Sequence, residues 1–333
     1  MNRRTLLKTS LTAGLASQWP LAAVVAQSQR MAYPISDSRP DGFKRFALGN
    51  LELTILSDGY IRQSPVHPFM APLAKADDVK AALEAAFRPT DSIEVAMNIL
   101  VVKSKDRLVL LDTGMGVFAG PTQGRLPGSL AEAGFNAADF TDVILSHAHT
   151  DHIGGLVDKQ NRLVFVNAAI HIAKTEYDFW RRATLTDFRQ SPANQMPDFV
   201  RQTITDIQRV LGLLTPNLKF IDTDKGLHGL FSFELAPGHT PGLTMTTIRS
   251  NDEKLLCIAD LIHSDALLFA HPEWGFFGDT DVQQAVSSRI NVLKQLATSK
   301  IKAFAYHLPW PGLGHVRPKG ASFEWVPDVY ATP

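Results

Sequence analysis

Apolar residues in this chain occur in short runs with strand-like spacing and in longer segments with helical spacing. Apolar runs of about four to eight residues predict strands, and apolar positions repeated about every three or four residues predict helices. The predicted strands are residues 51–57, 95–102, 108–111, 143–145, 168–173, 231–236, 243–248, 255–259 and 301–306. The predicted helices are residues 75–87, 126–134, 175–182, 196–214 and 282–296.

The order of these elements predicts the fold class. Each half of the chain begins with strands and continues with helices, which is typical of two sheets that face each other with helices on the outside. No repeat and no low-complexity linker divides residues 43–333. We therefore expect an α/β protein in which residues 43–333 form one domain.

The first 26 residues have the pattern of an export signal. Residues 2–8 contain paired arginines, two leucines and a lysine, as in a twin-arginine signal, and a moderately apolar stretch follows over residues 11–25. Ala26 is a small residue that suits signal peptidase, so residues 1–26 are the predicted signal peptide. The stretch is too interrupted for a stable membrane span of roughly 20 apolar residues. We expect export by the twin-arginine machinery to the periplasm or the medium, with residues 27–42 as a flexible lead-in.

The charge balance narrows the class of partner. Lys and Arg total 33 and Asp and Glu total 33, so the formal net charge is zero. Such a chain has no field of one sign to attract nucleic acid or an anionic membrane. The balance therefore argues against a nucleic-acid partner and favours a small neutral substrate.

A dense cluster of metal-ligand side chains follows the predicted strand 143–145. His147, His149, Asp151 and His152 fall within six residues. Imidazole nitrogens suit zinc and other first-row metals, and a carboxylate adds an oxygen donor. A chance cluster of surface histidines is the alternative, but this spacing is too dense to favour it.

Three later residues complete a candidate metal site. His239 lies in the turn Ala236–Gly242, and Asp260 and His307 each follow the end of a predicted strand. Strand ends followed by turns are where a rigid scaffold presents reactive groups. The full set is enough for two divalent ions that share one carboxylate. Zinc is the first expectation, with manganese, cobalt and iron as alternatives.

The chemistry expected of such a site is hydrolysis. Two divalent ions roughly 3.5–4 Å apart lower the pKa of a bridging solvent molecule, and the resulting hydroxide attacks a carbonyl or phosphoryl centre. Asp151 and Asp260 are predicted to be the catalytic carboxylates. Asp112, at the end of strand 108–111, is predicted to orient a ligand histidine, although capping of a turn is an equal alternative.

These motifs resemble those of the metallo-β-lactamase superfamily over nearly the whole chain after residue 42. The matching segments are Leu111–Gly114, His147–His152, Gly238–Gly242, Ala259–Asp260 and His307. The resemblance implies a four-layer αβ/βα sandwich with the site on its open rim. It also implies one ion bound by His147, His149 and His239, a second bound by Asp151, His152 and His307, and Asp260 as the bridge.

Within that superfamily the chain is most similar to the methyl parathion hydrolase branch, which includes related secreted lactonases and aryl esterases. The segments that carry this similarity are residues 53–59, 120–125, 178–180 and 305–317. The branch implies a homodimer and an aromatic pocket for the apolar leaving group. Trp180 matches that pocket directly, Phe118 is one position off, and Phe199 is a loose counterpart. His263 is expected to overhang the site, because it follows Asp260 closely.

The expected function is hydrolysis of neutral lactones or aryl esters, with organophosphate triesters as side substrates. A β-lactamase of this fold would lack a bridging carboxylate, so Asp260 argues against that alternative. A glyoxalase-type thioesterase would have all seven ligands, but it would need a basic patch for an anionic glutathione conjugate. A metal-storage protein would not need the intact ligand set.

Overall fold

The computed structural model of the protein describes residues 42–215 and 217–328. The signal peptide predicted for residues 1–26 and nearly all of the lead-in over residues 27–42 lie outside these ranges. Within them, no helix is both long enough and apolar enough to cross a membrane.

A seven-stranded sheet is built from the first half of the chain, with its strands in chain order. The strands are β1 Phe43–Leu48, β2 Leu51–Gln63, β3 Ile93–Lys103, β4 Leu108–Leu111, β5 Asp142–Ile144, β6 Ala169–Ile172 and β7 Leu218–Phe220. Strands β1 to β4 pair antiparallel, and β4 to β7 pair parallel. Because the parallel strands all end at one edge, the loops that follow β4, β5 and β6 begin at a common rim.

A six-stranded sheet is built from the second half, in the order β13-β12-β11-β10-β9-β8. Its strands are β8 Phe231–Leu235, β9 Thr244–Ser250, β10 Glu253–Cys257, β11 Lys302–Phe304, β12 Leu313–Lys319 and β13 Ser322–Pro327. Strands β10 and β11 are parallel, and the other pairs are antiparallel. The α-helices among the described residues are α1 Ala76–Ala85, α2 Leu126–Glu132, α3 Thr150–Ile153, α4 Lys174–Arg182, α5 Pro197–Leu213 and α6 Val282–Ser299.

Three apolar clusters separate the layers of the fold. Along β3, Ile99 and Val101 pack in a cluster with α2, α4 and α5, whereas Leu100 and Val102 pack against the second sheet. This alternation is the period-two pattern of a strand that is buried on both faces. A third cluster packs α1 and α6 on the outer face of the second sheet. The layers are therefore helices, sheet, sheet and helices, which confirms the α/β class and the αβ/βα sandwich.

The two sheets are joined by backbone hydrogen bonds at the rim where the candidate ligands lie. The amide of Thr244 donates to the carbonyl of Ser146 at 2.8 Å, and the amide of Asn98 donates to the carbonyl of Tyr306 at 2.9 Å. The first bond joins the start of β9 to the loop after β5, and the second joins β3 to the loop after β11. The rim is therefore a rigid junction of both sheets.

The prediction that residues 301–306 form the last strand was wrong. Strands β12 and β13 follow it as an antiparallel hairpin at the sheet edge, in which Arg317 lies opposite Glu324. β12 combines Gly314, His315 and Pro318 with charged residues, so its sequence does not have the usual apolar alternation of a strand. Only Leu313 and Gly314 of β12 pair with β11, so within the described residues the rest of the strand pairs on one side alone and tolerates such residues.

Candidate active site

The seven predicted ligands lie at one rim of the two sheets, in the segments that follow the C-terminal ends of four strands. The loop after β5 and the short helix α3 carry His147, His149, Asp151 and His152. His239 lies between β8 and β9, Asp260 follows β10, and His307 follows β11. Residues that are separated by as much as 160 positions along the chain therefore meet because their strands end at the same place.

The ligand atoms form two groups, in each of which all atoms lie within 4.8 Å of one another. The groups are His147, His149, His239 and Asp260, and then Asp151, His152, Asp260 and His307. Asp260 belongs to both. Its Oδ2 atom lies 3.3 Å from His239 Nε2 and 3.0 Å from His307 Nε2, and its Oδ1 atom lies 3.1 Å from His152 Nε2.

The geometry of these atoms fits metal ions better than it fits hydrogen bonds. His149 Nδ1 lies 3.0 Å from His147 Nε2 and 2.9 Å from His239 Nε2, so ring nitrogens point at one another. Tetrahedral zinc with Zn–N bonds of about 2.0–2.1 Å would bring its nitrogen ligands to roughly 3.3 Å from each other. His152 Nε2 and Asp260 Oδ1 are buried and face each other at 3.1 Å, but neither makes a well-formed hydrogen bond among the described residues. Since buried polar groups are nearly always partnered, the convergent atoms support two divalent ions.

Asp112 lies behind His152 and holds its ring. His152 Nδ1 lies 3.0 Å from Asp112 Oδ2, and Asp112 also accepts hydrogen bonds of 2.8 Å from the Ser146 amide and hydroxyl. A carboxylate in this position fixes the tautomer and the orientation of a ligand imidazole, with Nε2 left to face the centre. The structure therefore brings together the pair that the sequence suggested.

His239 has an equivalent support that sequence reasoning missed. Its Nδ1 donates to Asp279 Oδ1 at 3.0 Å. The fully buried Arg289 approaches Asp279 Oδ2 at 3.4 Å and donates to the carbonyl of Leu261 at 2.7 Å. Asp279 lies 40 positions after His239, and its sequence signal is weak, since it is an acidic residue separated by one glycine from an aromatic stretch. His307 Nδ1 donates to the carbonyl of Ala96 at 2.8 Å.

The carboxylates set the proton affinity of the ligand histidines. Burial lowers the pKa of His239, but hydrogen bonds to Asp260 and Asp279 outweigh it and raise that pKa to about 8. For His307, burial is likewise outweighed by the charge of Asp260 and the hydrogen bond to Asp151, and the pKa rises to about 9. Metal ions and protons compete for the same nitrogens, so metal affinity should fall as the pH drops below about 9 at His307 and below about 8 at His239.

A cavity of about 320 Å³ opens above the ligand rim and is lined mainly by apolar side chains. Phe199 lines it while half exposed, and packs 6.0 Å from Phe277. His263 also lines the cavity, where its ring stacks on Phe276 at 3.6 Å and its Nε2 donates to Asp260 Oδ2 at 3.2 Å. Phe69 and Phe188 line the cavity as well, although the sequence did not identify them.

Two of the predicted pocket residues lie outside this lining. Trp180 is fully buried, with its ring edge-on to His149 at 5.5 Å and its indole N–H donating to Glu176 at 2.7 Å. Phe118 packs against the core of the first sheet, with the guanidinium of Arg209 5.3 Å from its ring centre. Both aromatic rings turn toward the protein interior, because α4 and the loop after β4 pack on the first sheet.

Comparison with known proteins agrees with this architecture. The family model described as the metallo-beta-lactamase superfamily matches residues 94–306. A search of curated proteins gave no match.

Solved structures give a closer comparison. AidC, a dizinc quorum-quenching lactonase solved with its product N-hexanoyl-L-homoserine, is 52% identical, with a TM-score of 0.86 over 88% of this chain and 99% of that chain. The hydrolase AbOPH of the beta lactamase superfamily is 23% identical, with a TM-score of 0.79 over 88% of this chain and 100% of that chain. A quorum-quenching N-acyl homoserine lactone lactonase is 19% identical, with a TM-score of 0.54 over 80% of this chain and 94% of that chain. The last two show likeness of fold alone, but the family match and the first structure establish that this chain belongs to the metallo-beta-lactamase superfamily.

Proposed function

We propose that this protein is a dizinc lactonase that opens the ring of N-acyl homoserine lactones. The observation that carries the proposal is the double ligand group that shares Asp260 at the floor of an apolar cavity. A relative of 52% identity is a dizinc lactonase that was solved with N-hexanoyl-L-homoserine. The coarser activity, metal-dependent hydrolysis of a lactone, follows from the family and this relative together.

Each group of ligands has a defined task in this reaction. His147, His149 and His239 would hold one ion, and Asp151, His152 and His307 the other, with Asp260 between them. Ions held there would polarise the lactone carbonyl and lower the pKa of a water molecule between them. The carboxylates of Asp112 and Asp279 keep two of the imidazoles aligned, so that little reorganisation is needed during the reaction.

The cavity fits a small neutral substrate with an apolar tail. Its volume of about 320 Å³ is at the lower end of the range of roughly 300–1,000 Å³ for ligand sites. Gln63, Ser191 and Thr203 line it and offer polar atoms to an amide group. Five phenylalanine rings and several aliphatic side chains supply much of the remaining wall, which suits an acyl chain.

The lining also argues against anionic substrates. Among the described residues that form the cavity, none is lysine or arginine. A glutathione thioester or a β-lactam carboxylate would therefore find no lysine or arginine side chain in the lining of this cavity. Organophosphate triesters are neutral, and we retain them as side substrates. Export to the periplasm and the homodimer stay predictions of the sequence and its resemblance.

A hydrolysis panel on the zinc-loaded protein tests the proposal. The panel contains N-hexanoyl-L-homoserine lactone, an aromatic lactone, an aryl acetate, methyl paraoxon, a carbapenem and a glutathione thioester. We expect the highest kcat/KM on the acyl homoserine lactone, with loss of that turnover in Asp260→Asn. Carbapenem or thioester turnover without lactone turnover would contradict the proposal.

A further inference from the structure

We infer that Glu176 is a positioning residue that holds two ligand-bearing turns of the metal centre in register. This inference rests on the proposed binuclear centre and concerns the ion assigned to His147, His149 and His239. Glu176 is not a ligand and does not line the cavity. It acts through the backbone on either side of the ligands.

The carboxylate of Glu176 lies in helix α4 and is fully buried. Its Oε1 atom accepts hydrogen bonds from the amide of Ala148 at 2.9 Å and from the indole of Trp180 at 2.7 Å. Its Oε2 atom accepts from the amide of Gly242 at 2.9 Å. One side chain therefore contacts two loops that are distant in sequence.

Both of those loops carry ligands of the same ion. Ala148 lies between His147 and His149, and Gly242 ends the turn that contains His239. A change at Glu176 would therefore alter the relative position of all three histidines. None of the hydrogen bonds of its carboxylate reaches Asp151, His152 or His307. The effect should fall on one ion and largely spare the other.

The packing around Glu176 leaves no room for an alternative arrangement. A Cβ atom added to Gly242 would lie 2.4 Å from the backbone nitrogen of Glu176, so only glycine lets the turn approach α4 this closely. Trp180, one helical turn further on, packs its ring against His149 and donates to the same carboxylate. The aromatic residue expected to line the pocket therefore supports the metal centre.

The environment of the carboxylate is unusual for a purely structural residue. Burial raises the pKa of Glu176, and its interactions with the Ala148 amide, the Thr240 hydroxyl, the Trp180 indole and the Gly242 amide oppose that rise. Within the described ranges no lysine or arginine is among the groups that act on this carboxylate. An apolar residue would fill the same space without the free-energy cost of burying a carboxylate, but it could not orient two backbone amides at once.

Glu176→Gln tests the inference, with metal binding as the readout. A glutamine has one acceptor oxygen, which should face Ala148 and Trp180, so its NH2 group would oppose the amide of Gly242. We expect the affinity for one of two Zn²⁺ ions, measured by chelator competition, to fall about 10–100-fold, the range found for outer partners of metal ligands. The exposed Glu84→Gln is the matched control and should bind both ions as the parent protein does.

The same substitution made in a variant that lacks one ligand of the first ion identifies which ion Glu176 affects. His239→Asn removes a ligand of the first ion, so adding Glu176→Gln there should change the remaining affinity by less than about twofold. Equal weakening in both backgrounds, or parent-like binding of both ions by Glu176→Gln, would overturn the inference. If Glu176→Gln does not fold, Gly242→Ala should weaken the same ion by displacing the turn, and unchanged affinity in that variant would also overturn it. Because no substrate is used, a failed lactone assay would contradict the proposed function without affecting this result.

Discussion

Two clusters of histidine and aspartate lie at opposite ends of the short strand β5, and only one of them converges. The metal centre follows the strand end, whereas Asp142 occupies the strand start. Around Asp142, His171 Nε2 lies at 2.9 Å and His228 Nε2 at 3.1 Å from the same carboxylate oxygen. Thr141 donates to the other oxygen at 2.7 Å.

The difference between the clusters is in where the atoms point. Both imidazoles of the Asp142 cluster face a single oxygen, and they are not among the groups whose ligand atoms all lie close together. In the metal centre, ring nitrogens face one another, and His152 Nε2 and Asp260 Oδ1 lack hydrogen-bond partners within the described part of the chain. Residue type alone therefore does not define a metal site. A metal site is defined by ligand atoms that converge on one point without satisfying one another as hydrogen-bond partners. Asp142, whose oxygens both accept hydrogen bonds, instead joins β5, β6 and the loop before β8.

The largest expected effect separates the clusters by metal content. Asp260→Asn should lower the bound zinc and reduce kcat/KM for the lactone by at least about 100-fold, because even outer partners of metal ligands cost about 10–100-fold. Asp142→Asn should retain the parent zinc content and kcat. Zinc measured by atomic absorption, together with steady-state kinetics, checks both variants. Zinc loss in Asp142→Asn would show that the two clusters are not independent.

A smaller effect is expected from Asp279, which supports His239 from outside the ligand group. Asp279→Asn removes the charge that helps to raise the pKa of His239 and weakens the bond that orients its ring. We expect zinc affinity to fall about 10–100-fold, with kcat partly restored by excess zinc. Chelator competition and kinetics at increasing zinc concentration measure this. A kcat that excess zinc leaves low would instead place Asp279 in the reaction itself.

The seven ligands were accessible from sequence because each follows an apolar strand, and strand ends in this topology share a rim. The orientation of Trp180 was not accessible, because the face of α4 that meets the cavity depends on packing against the first sheet. Asp279 and Arg289 were missed for a similar reason, since their contact with His239 spans a turn and a helix. β12 carries no regular apolar alternation, and its pairing with β13 at the sheet edge is what makes it a strand.

The smallest expected effect is one of stability, and its pH dependence distinguishes the Asp142 cluster from the metal centre. Burial alone would raise the pKa of Asp142, but hydrogen bonds from His171 and Thr141 hold that pKa well below its usual value. A carboxyl group with a depressed pKa in the folded state stabilises the protein above its unfolded pKa of about 3.9. That stabilisation is lost as the pH falls from there toward the folded pKa. Asp142→Asn leaves the histidines without a charged acceptor, so it should lower the free energy of unfolding at pH 7 by about 1–3 kcal/mol.

Unfolding of the parent protein and of Asp142→Asn, compared at several pH values, isolates the contribution of the Asp142 charge to stability. The carboxylates of the metal centre are present in both, so their titration cancels in the difference between the unfolding free energies. We expect that difference to shrink below about pH 4, as Asp142 of the parent begins to take up its proton. Urea unfolding of both proteins with a chelator present, at a series of pH values, measures it. A difference that stays constant into acid would mean that Asp142 stabilises the fold through its shape and neutral hydrogen bonds, and that its charge is not what joins β5 to the loop before β8.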